Sequence, residues 1–121
     1  MQLYVFLGGG FGALCRFFVG RLCEYFSFAS AFSTVFVNLA GCFFIGFLFT
    51  VFKNNDCPAF LNAFFITGFL GGFTTFSTFT LDALQYMRGG DVSLAVLYVA
   101  LQVVFGLVLA WLGVRVGVFI S

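Results

Sequence analysis

Four long apolar stretches, Leu3 to Leu22, Phe32 to Phe52, Phe60 to Met87 and Val92 to Ile120, alternate with short polar joints at Cys23 to Ala31, Lys53 to Ala59 and Arg88 to Asp91. At about 1.5 Å of rise per helical residue, each stretch can cross a hydrocarbon core of about 30 Å. The pattern predicts four transmembrane helices in one domain spanning residues 1–121, with no linker that would divide it. The third stretch is anomalous. As a straight helix, Phe60 to Met87 would extend about 42 Å, well beyond the core. Near its midpoint lie Gly71-Gly72, followed by hydroxyl side chains at Thr74, Thr75, Ser77, Thr78 and Thr80. Paired glycines favour interruption through backbone entropy and missing Cβ atoms, so an unwound centre is expected near Phe73 and Thr74. Non-helical backbone survives at mid-membrane only where protein or a polar pathway covers it.

Composition supports an integral membrane protein: 63% of the 121 residues are hydrophobic and 7% are charged, against about 25% charged in soluble domains. A cleaved leader does not fit, because Met1-Gln2 has no basic character and Arg16 interrupts the first apolar run. With four crossings both termini lie on one side. Lys53 and Arg115 then share that side, whereas Arg16, Arg21 and Arg88 fall toward the other. So small a positive-inside bias permits insertion in both orientations, and two opposed copies could pair as an antiparallel homodimer. Four helices also enclose too little space to isolate a pathway from lipid, which independently favours assembly. Gly8-x-x-x-Gly12 and Gly113-x-x-x-Gly117 offer surfaces for close helix approach.

Carbonyls freed at the break, such as those of Gly71 and Thr74, could hold a small hard cation. If helix resumes by Thr75, then Thr75, Thr78 and Asp82 form a polar stripe beside Phe76 and Phe79. Asn38 in the second span and Tyr98 and Gln102 in the fourth add uncharged donors at depth. Each of these has a plainer reading, as interhelical hydrogen bonding or aromatic packing. No carboxylate sits at mid-membrane, since Glu24, Asp56 and Asp91 lie in joints and Asp82 lies about two turns past the break. That argues against a proton-coupled multidrug exchanger and against an acidic cation pore. A bare anion in a low-dielectric medium faces a penalty on the order of 20 kcal/mol, so donors must replace its water. Phenyl edges can contribute, because the ring quadrupole is positive there. An enzyme is the least favoured class, since histidine, paired acids and a metal-ligand set are lacking. The four cysteines, Cys15, Cys23, Cys42 and Cys57, form no C-x-x-C pair. From the residues alone the reading is a small-anion pathway, with a non-transporting assembly factor as the competing class.

Three motifs then carry a resemblance: Gly8-Gly9-Gly10-Phe11-Gly12-Ala13-Leu14-Cys15-Arg16, Thr34-Val35-Phe36-Val37-Asn38-Leu39-Ala40-Gly41, and Gly68-Phe69-Leu70-Gly71-Gly72-Phe73-Thr74-Thr75-Phe76-Ser77-Thr78-Phe79. The chain resembles the Fluc (CrcB-like) fluoride channels over essentially its whole length. The resemblance implies a multi-pass protein of the cell inner membrane that passes fluoride down its gradient and confers fluoride resistance. It implies a dual-topology homodimer with two antiparallel pores and no nucleic-acid partner. Phe76 and Phe79 then correspond to pore phenylalanines, Asn38 to the pore amide, and Thr75, Ser77, Thr78, Tyr98 and Gln102 to polar lining. Arg16 and Asp82 correspond to vestibule charges. The Gly71 and Thr74 carbonyls correspond to ligands of a structural sodium ion at the dimer interface. The chain departs from the family pattern at Phe17 in place of Tyr, Cys42 in place of Ser, Asp82 in place of Glu, and Gln102 in place of a smaller hydroxyl residue.

Overall fold

Apolar length sets the architecture. The structure, a computed structural model, describes residues 1–121. Helix α1 runs Gln2–Tyr25 and α2 runs Ser30–Asn54. The third span is assembled from α3 (Ala59–Leu61), a π-helical stretch (Asn62–Leu70), α4 (Gly71–Phe73) and α5 (Phe76–Arg88), and α6 (Val92–Ile120) completes the chain. Four spans are long and apolar enough to cross a membrane, matching the number expected. They overrun the apolar windows because polar residues such as Glu24 and Lys53 ride the last helical turns.

The joints are tight. Ser27 and Asp56 turn the chain at φ of 60° and 47°, and Gly90 does so at φ 86°. Asp91 starts α6 as its N-cap, accepting the Leu94 N–H at 3.0 Å.

Glycines decide which spans touch. A Cβ on Gly8 or Gly12 would run into the Phe64 or Phe69 carbonyl of the third span, and one on Gly72 would run into the Gly9 carbonyl of α1. On the other side of the molecule, Gly46 faces the Ala110 carbonyl and Gly113 faces the Phe43 carbonyl, so α2 and α6 approach backbone to backbone. Both small-residue pairs flagged in the sequence are therefore spent inside the subunit, where they set interhelical distance. Helix α5 leans on α6 through Phe79, Ala83 and Tyr98, joined by Ala31 of α2. Large apolar side chains cover the outside, among them Phe6, Trp111 and Phe119. In lipid this costs nothing, since acyl tails are as apolar as the side chains.

One expectation about the third span needs correction. Gly71 and Gly72 remain helical. The extended residues are Thr74 (φ −83°, ψ 160°) and Thr75 (φ −148°, ψ 119°). Gly72 is needed for close packing on α1 rather than for a change of direction. Helix resumes at Phe76, with Thr75 outside it as the N-cap.

Candidate functional site

Two consecutive threonines in extended backbone leave amides and carbonyls without helical partners, and the neighbouring side chains answer for most of them. The Thr74 hydroxyl donates to the Leu70 carbonyl at 2.9 Å, closing the end of α4. Asn38 reaches across from α2 and grips Thr75 twice. Its Oδ1 accepts the Thr75 N–H at 2.8 Å, and its Nδ2 donates to the Thr75 carbonyl at 3.0 Å. The carboxamide thus replaces a neighbouring peptide and holds the extended residue as a strand partner would. The Thr75 Oγ1 then accepts the Thr78 N–H at 3.2 Å and donates to the Thr78 hydroxyl at 3.1 Å, starting α5.

These substitutions have a consequence for the carbonyls. The Thr75 N–H, which would serve the Gly71 carbonyl in a continuous helix, goes to Asn38 instead. The Thr78 N–H, which would serve the Thr74 carbonyl, goes to the Thr75 hydroxyl. The carbonyls of Gly71 and Thr74 thus lose their helical donors at the interruption, as do those of Gly72 and Phe73, whose donors would be first-turn amides of α5. Gly71 is exposed, and a Cβ built on it would meet nothing within 4 Å. No cluster of three His, Cys, Asp or Glu side chains that could hold a metal ion is present.

Asn38 makes a third bond. Its Nδ2 also donates to Gln102 Oε1 at 2.9 Å, so both amide protons are engaged, one on Thr75 and one on Gln102. Gln102 lies on the buried face of α6 at 7% exposure. Its Nε2 is the one buried side-chain polar atom without a hydrogen-bond partner. Tyr98, one turn earlier, donates its hydroxyl to Asp82 Oδ2 at 2.8 Å. Asp82 is therefore buried beside Phe79 and turned toward α6, whereas Thr78, one turn earlier on the same face of α5, is exposed. Its carboxylate oxygen is satisfied locally by the phenol.

The two phenylalanines differ. Phe79 is buried and stacks on the Tyr98 ring at 5.7 Å and 25°. Phe76 is 77% exposed and touches Phe79 at 5.5 Å and 43°. Phe76 therefore lies largely open on the surface of the subunit.

Two clefts flank the extended pair. One, of about 450 Å³, is lined by Arg16 with Ser33, Thr34, Thr75, Ser77 and Thr78. Arg16 has no carboxylate partner, since the single ion pair, Arg21 to Glu24 at 3.0 Å, lies on the exposed surface. The cleft consequently combines one cation with a set of hydroxyls and suits an anion. The other, of about 250 Å³, is bordered by Asn38, Gly41, Cys42, Thr74, Thr75 and Phe76. Thr75 borders both, so the Asn38 grip forms the wall between them.

Of the residues singled out from sequence, the structure brings together Asn38, Thr75 and Gln102, and separately Arg16, Thr75, Ser77 and Thr78. Thr34 and Gly41 were not singled out. Thr34 sits one helical turn before Asn38, a spacing that signals a shared face. Gly41 is required because a Cβ there would strike the Thr74 methyl group.

Comparison with known proteins gives a consistent picture. Residues 3–114 match the family model described as "CrcB-like protein, Camphor Resistance (CrcB)". The fluoride-specific ion channel FluC 2 of Brucella abortus biovar 1 (strain 9-941) is 42% identical over 115 residues, covering 92% of this chain and 89% of the relative. FluC 2 of Staphylococcus saprophyticus is 39% identical over 121 residues, covering 98% of each. FluC of Flavobacterium psychrophilum is 36% identical over 112 residues, covering 91% of this chain and 90% of the relative. Together with the four spans, these relatives make the chain a multi-pass membrane protein.

Proposed function

The chain belongs to the CrcB-like family, a family of fluoride channels and not of enzymes, and from that premise we propose that it is a fluoride-selective passive channel working as an antiparallel homodimer with two pores. The observation that carries this reading is the extended pair Thr74–Thr75 at mid-span, flanked by a cleft that pairs an unneutralised Arg16 with hydroxyls. Arg16 attracts an anion to the cleft mouth, and Ser77, Thr78 and Thr34 supply O–H donors to replace its water one at a time. Close, rigid donors hold a small ion more tightly than a large one, and this reading requires that gain to outweigh fluoride's larger dehydration cost. Exposed Phe76 borders the second cleft, across Thr75 from the first, and its ring edge is available there to a small anion.

The dimer rests on the cost of leaving the isolated subunit in lipid. Each carbonyl left without a donor in hydrocarbon costs several kcal/mol, on the order of 2–7. Exposed Gly71 supports a second copy covering this face, with the Gly71 and Thr74 carbonyls turned toward it. Two copies related by a two-fold axis in the membrane plane bring four such oxygens to the axis. That set suits a structural sodium ion, which prefers hard, neutral oxygen ligands at mid-membrane. Sodium there would neutralise the converging carbonyl dipoles and fix the two interrupted spans against each other. The nearly even distribution of Arg and Lys supports insertion in both orientations.

Purified protein in liposomes loaded with potassium fluoride tests the reading. Addition of a potassium ionophore should release fluoride within seconds, while matched vesicles loaded with potassium chloride should retain their chloride. Retention of fluoride at several dimers per vesicle would discard the channel.

A further inference from the structure

Glycines in this chain keep a regular contact with the helix they face. Gly12, Gly46, Gly72 and Gly113 each sit where a Cβ would meet a carbonyl oxygen and the amide nitrogen four residues further on, as Gly12 does at Phe69 O and Phe73 N. Such a pair is the two ends of an i→i+4 backbone bond, so the glycine settles over one rung of an α-helix. Gly8 is different. It sits over Phe64 O and Phe69 N, five residues apart, the two ends of a rung in the π-helical stretch Asn62–Leu70. Along α1 the step from Gly8 to Gly12 is four residues, while along the third span the matching step from Phe64 to Phe69 is five. One residue more than an α-helix would use is therefore stored between those two contacts.

Both sides of the stored residue are held. Upstream, the Phe60 ring packs on Tyr4 of α1 at 5.2 Å. Downstream, Gly12 and Gly72 lock the span against α1, and Asn38 holds both backbone groups of Thr75. In a continuous α-helix of this sequence, everything past Phe69 would turn by about 100° about the axis relative to Phe60. That rotation would carry Thr75 off Asn38 or strip the upstream half from α1. A π-helix of nine residues is uncommon, since most are single-turn bulges, and it persists here because both sides are clasped.

We infer that the π-helical turns are a register buffer: they absorb one surplus residue so that α1 keeps both of its contacts and Thr75 stays opposite Asn38. The surplus itself, rather than any side chain within the turns, is what matters. Lying upstream of the extended pair, the buffer isolates that pair from the preceding joint, because a change in length ahead of Phe69 is taken up by the wide turns before it reaches Thr74.

Single-residue deletions test this, read by thermal unfolding in detergent and by fluoride efflux from liposomes. Removing Ile66 or Thr67, which lie between the two contacts, leaves Phe64 and Phe69 one α-helical rung apart. Each deletion should keep a melting temperature at or above that of the wild-type protein and leave efflux within about threefold of it. Deleting Leu70, beyond the last wide rung, has no surplus to draw on and should lower efflux by about 100-fold or more. Leu70→Ala removes the same buried side chain but keeps the register, and should fall well short of that loss. Two deletions within the turns guard against the loss of one particular side chain, and tolerance of either sustains the inference. If both the Ile66 and Thr67 deletions unfold or lose efflux as the Leu70 deletion does, or if deleting Leu70 is as mild as Leu70→Ala, the inference is overturned. The melting temperatures decide even if the wild-type protein passes no fluoride, an outcome that counts against the channel reading alone.

Discussion

Phe76 and Phe79 sit three residues apart on α5, yet one is an outward ring and the other a packed one. Substitution by isoleucine should therefore separate conduction from stability. Phe76→Ile removes a ring edge from an exposed position and should cut fluoride efflux strongly, by about 100-fold if the ring stands in for one donor of the hydration shell, with little change in thermal stability in detergent. Phe79→Ile should reduce efflux as well, but it also breaks the stack on Tyr98 and should cost about 1–2 kcal/mol of stability. Wild-type efflux in both variants would return the rings to simple packing. The motif around these residues was legible in sequence, but their unequal burial was not. Composition offers no basis for ranking two phenylalanines in a chain with 22 of them, and only the neighbour Tyr98 from a distant span makes the distinction.

At the scale of elements, the third span shows what patterning can and cannot reveal. Apolar length announced four spans, and excess length announced that the third would not be a simple rod. Glycines were the natural place to look for extended backbone, because they resist helix formation. They stay helical here since Gly72 is committed to α1, and the extended conformation passes to Thr74 and Thr75, whose side chains can stand in for lost backbone bonds. The π-helical turns at Asn62–Leu70 left no sequence signal, because i→i+5 bonding changes no residue preference strongly enough to read. Asn38 was legible as a buried amide, but its grip on Thr75 depends on register between α2 and the third span. Gly41 fixes that register. Gly41→Ala would push its methyl group into the Thr74 methyl and should destabilise the subunit by about 1–3 kcal/mol while slowing fluoride efflux. Thr74→Ser removes the obstructing methyl and retains the hydroxyl bond to Leu70. Adding it to Gly41→Ala should restore most of the lost stability. Additive penalties in that double-mutant cycle would show that Gly41 and Thr74 are not in register as described.

At the scale of the whole molecule, the proposed dimer raises the question of which surface faces lipid and which would face a second copy. Small-residue stripes would be the usual candidates for an interface, but Gly8, Gly12, Gly113 and Gly117 are all consumed between spans of one subunit. What stays uncovered near the interruption is exposed Gly71, whose carbonyl has lost its helical donor, and exposed Phe76. Lipid cannot satisfy that carbonyl, whereas a second copy bringing the same groups around a shared cation can. Gly71→Leu discriminates the two situations. Nothing within 4 Å of the Gly71 Cβ direction opposes a side chain inside the subunit, so helix content and subunit folding should be preserved. An isobutyl group on a self-facing surface would meet its symmetry mate, hold the carbonyls apart and exclude the cation. The variant should therefore lose its dimer in detergent, by mass measurement of single particles, and should lose fluoride efflux with it. A Gly71→Leu protein that remains dimeric and conducts would place the two-fold axis away from the extended pair, and the carbonyls of Gly71 and Thr74 would then need another partner in the membrane.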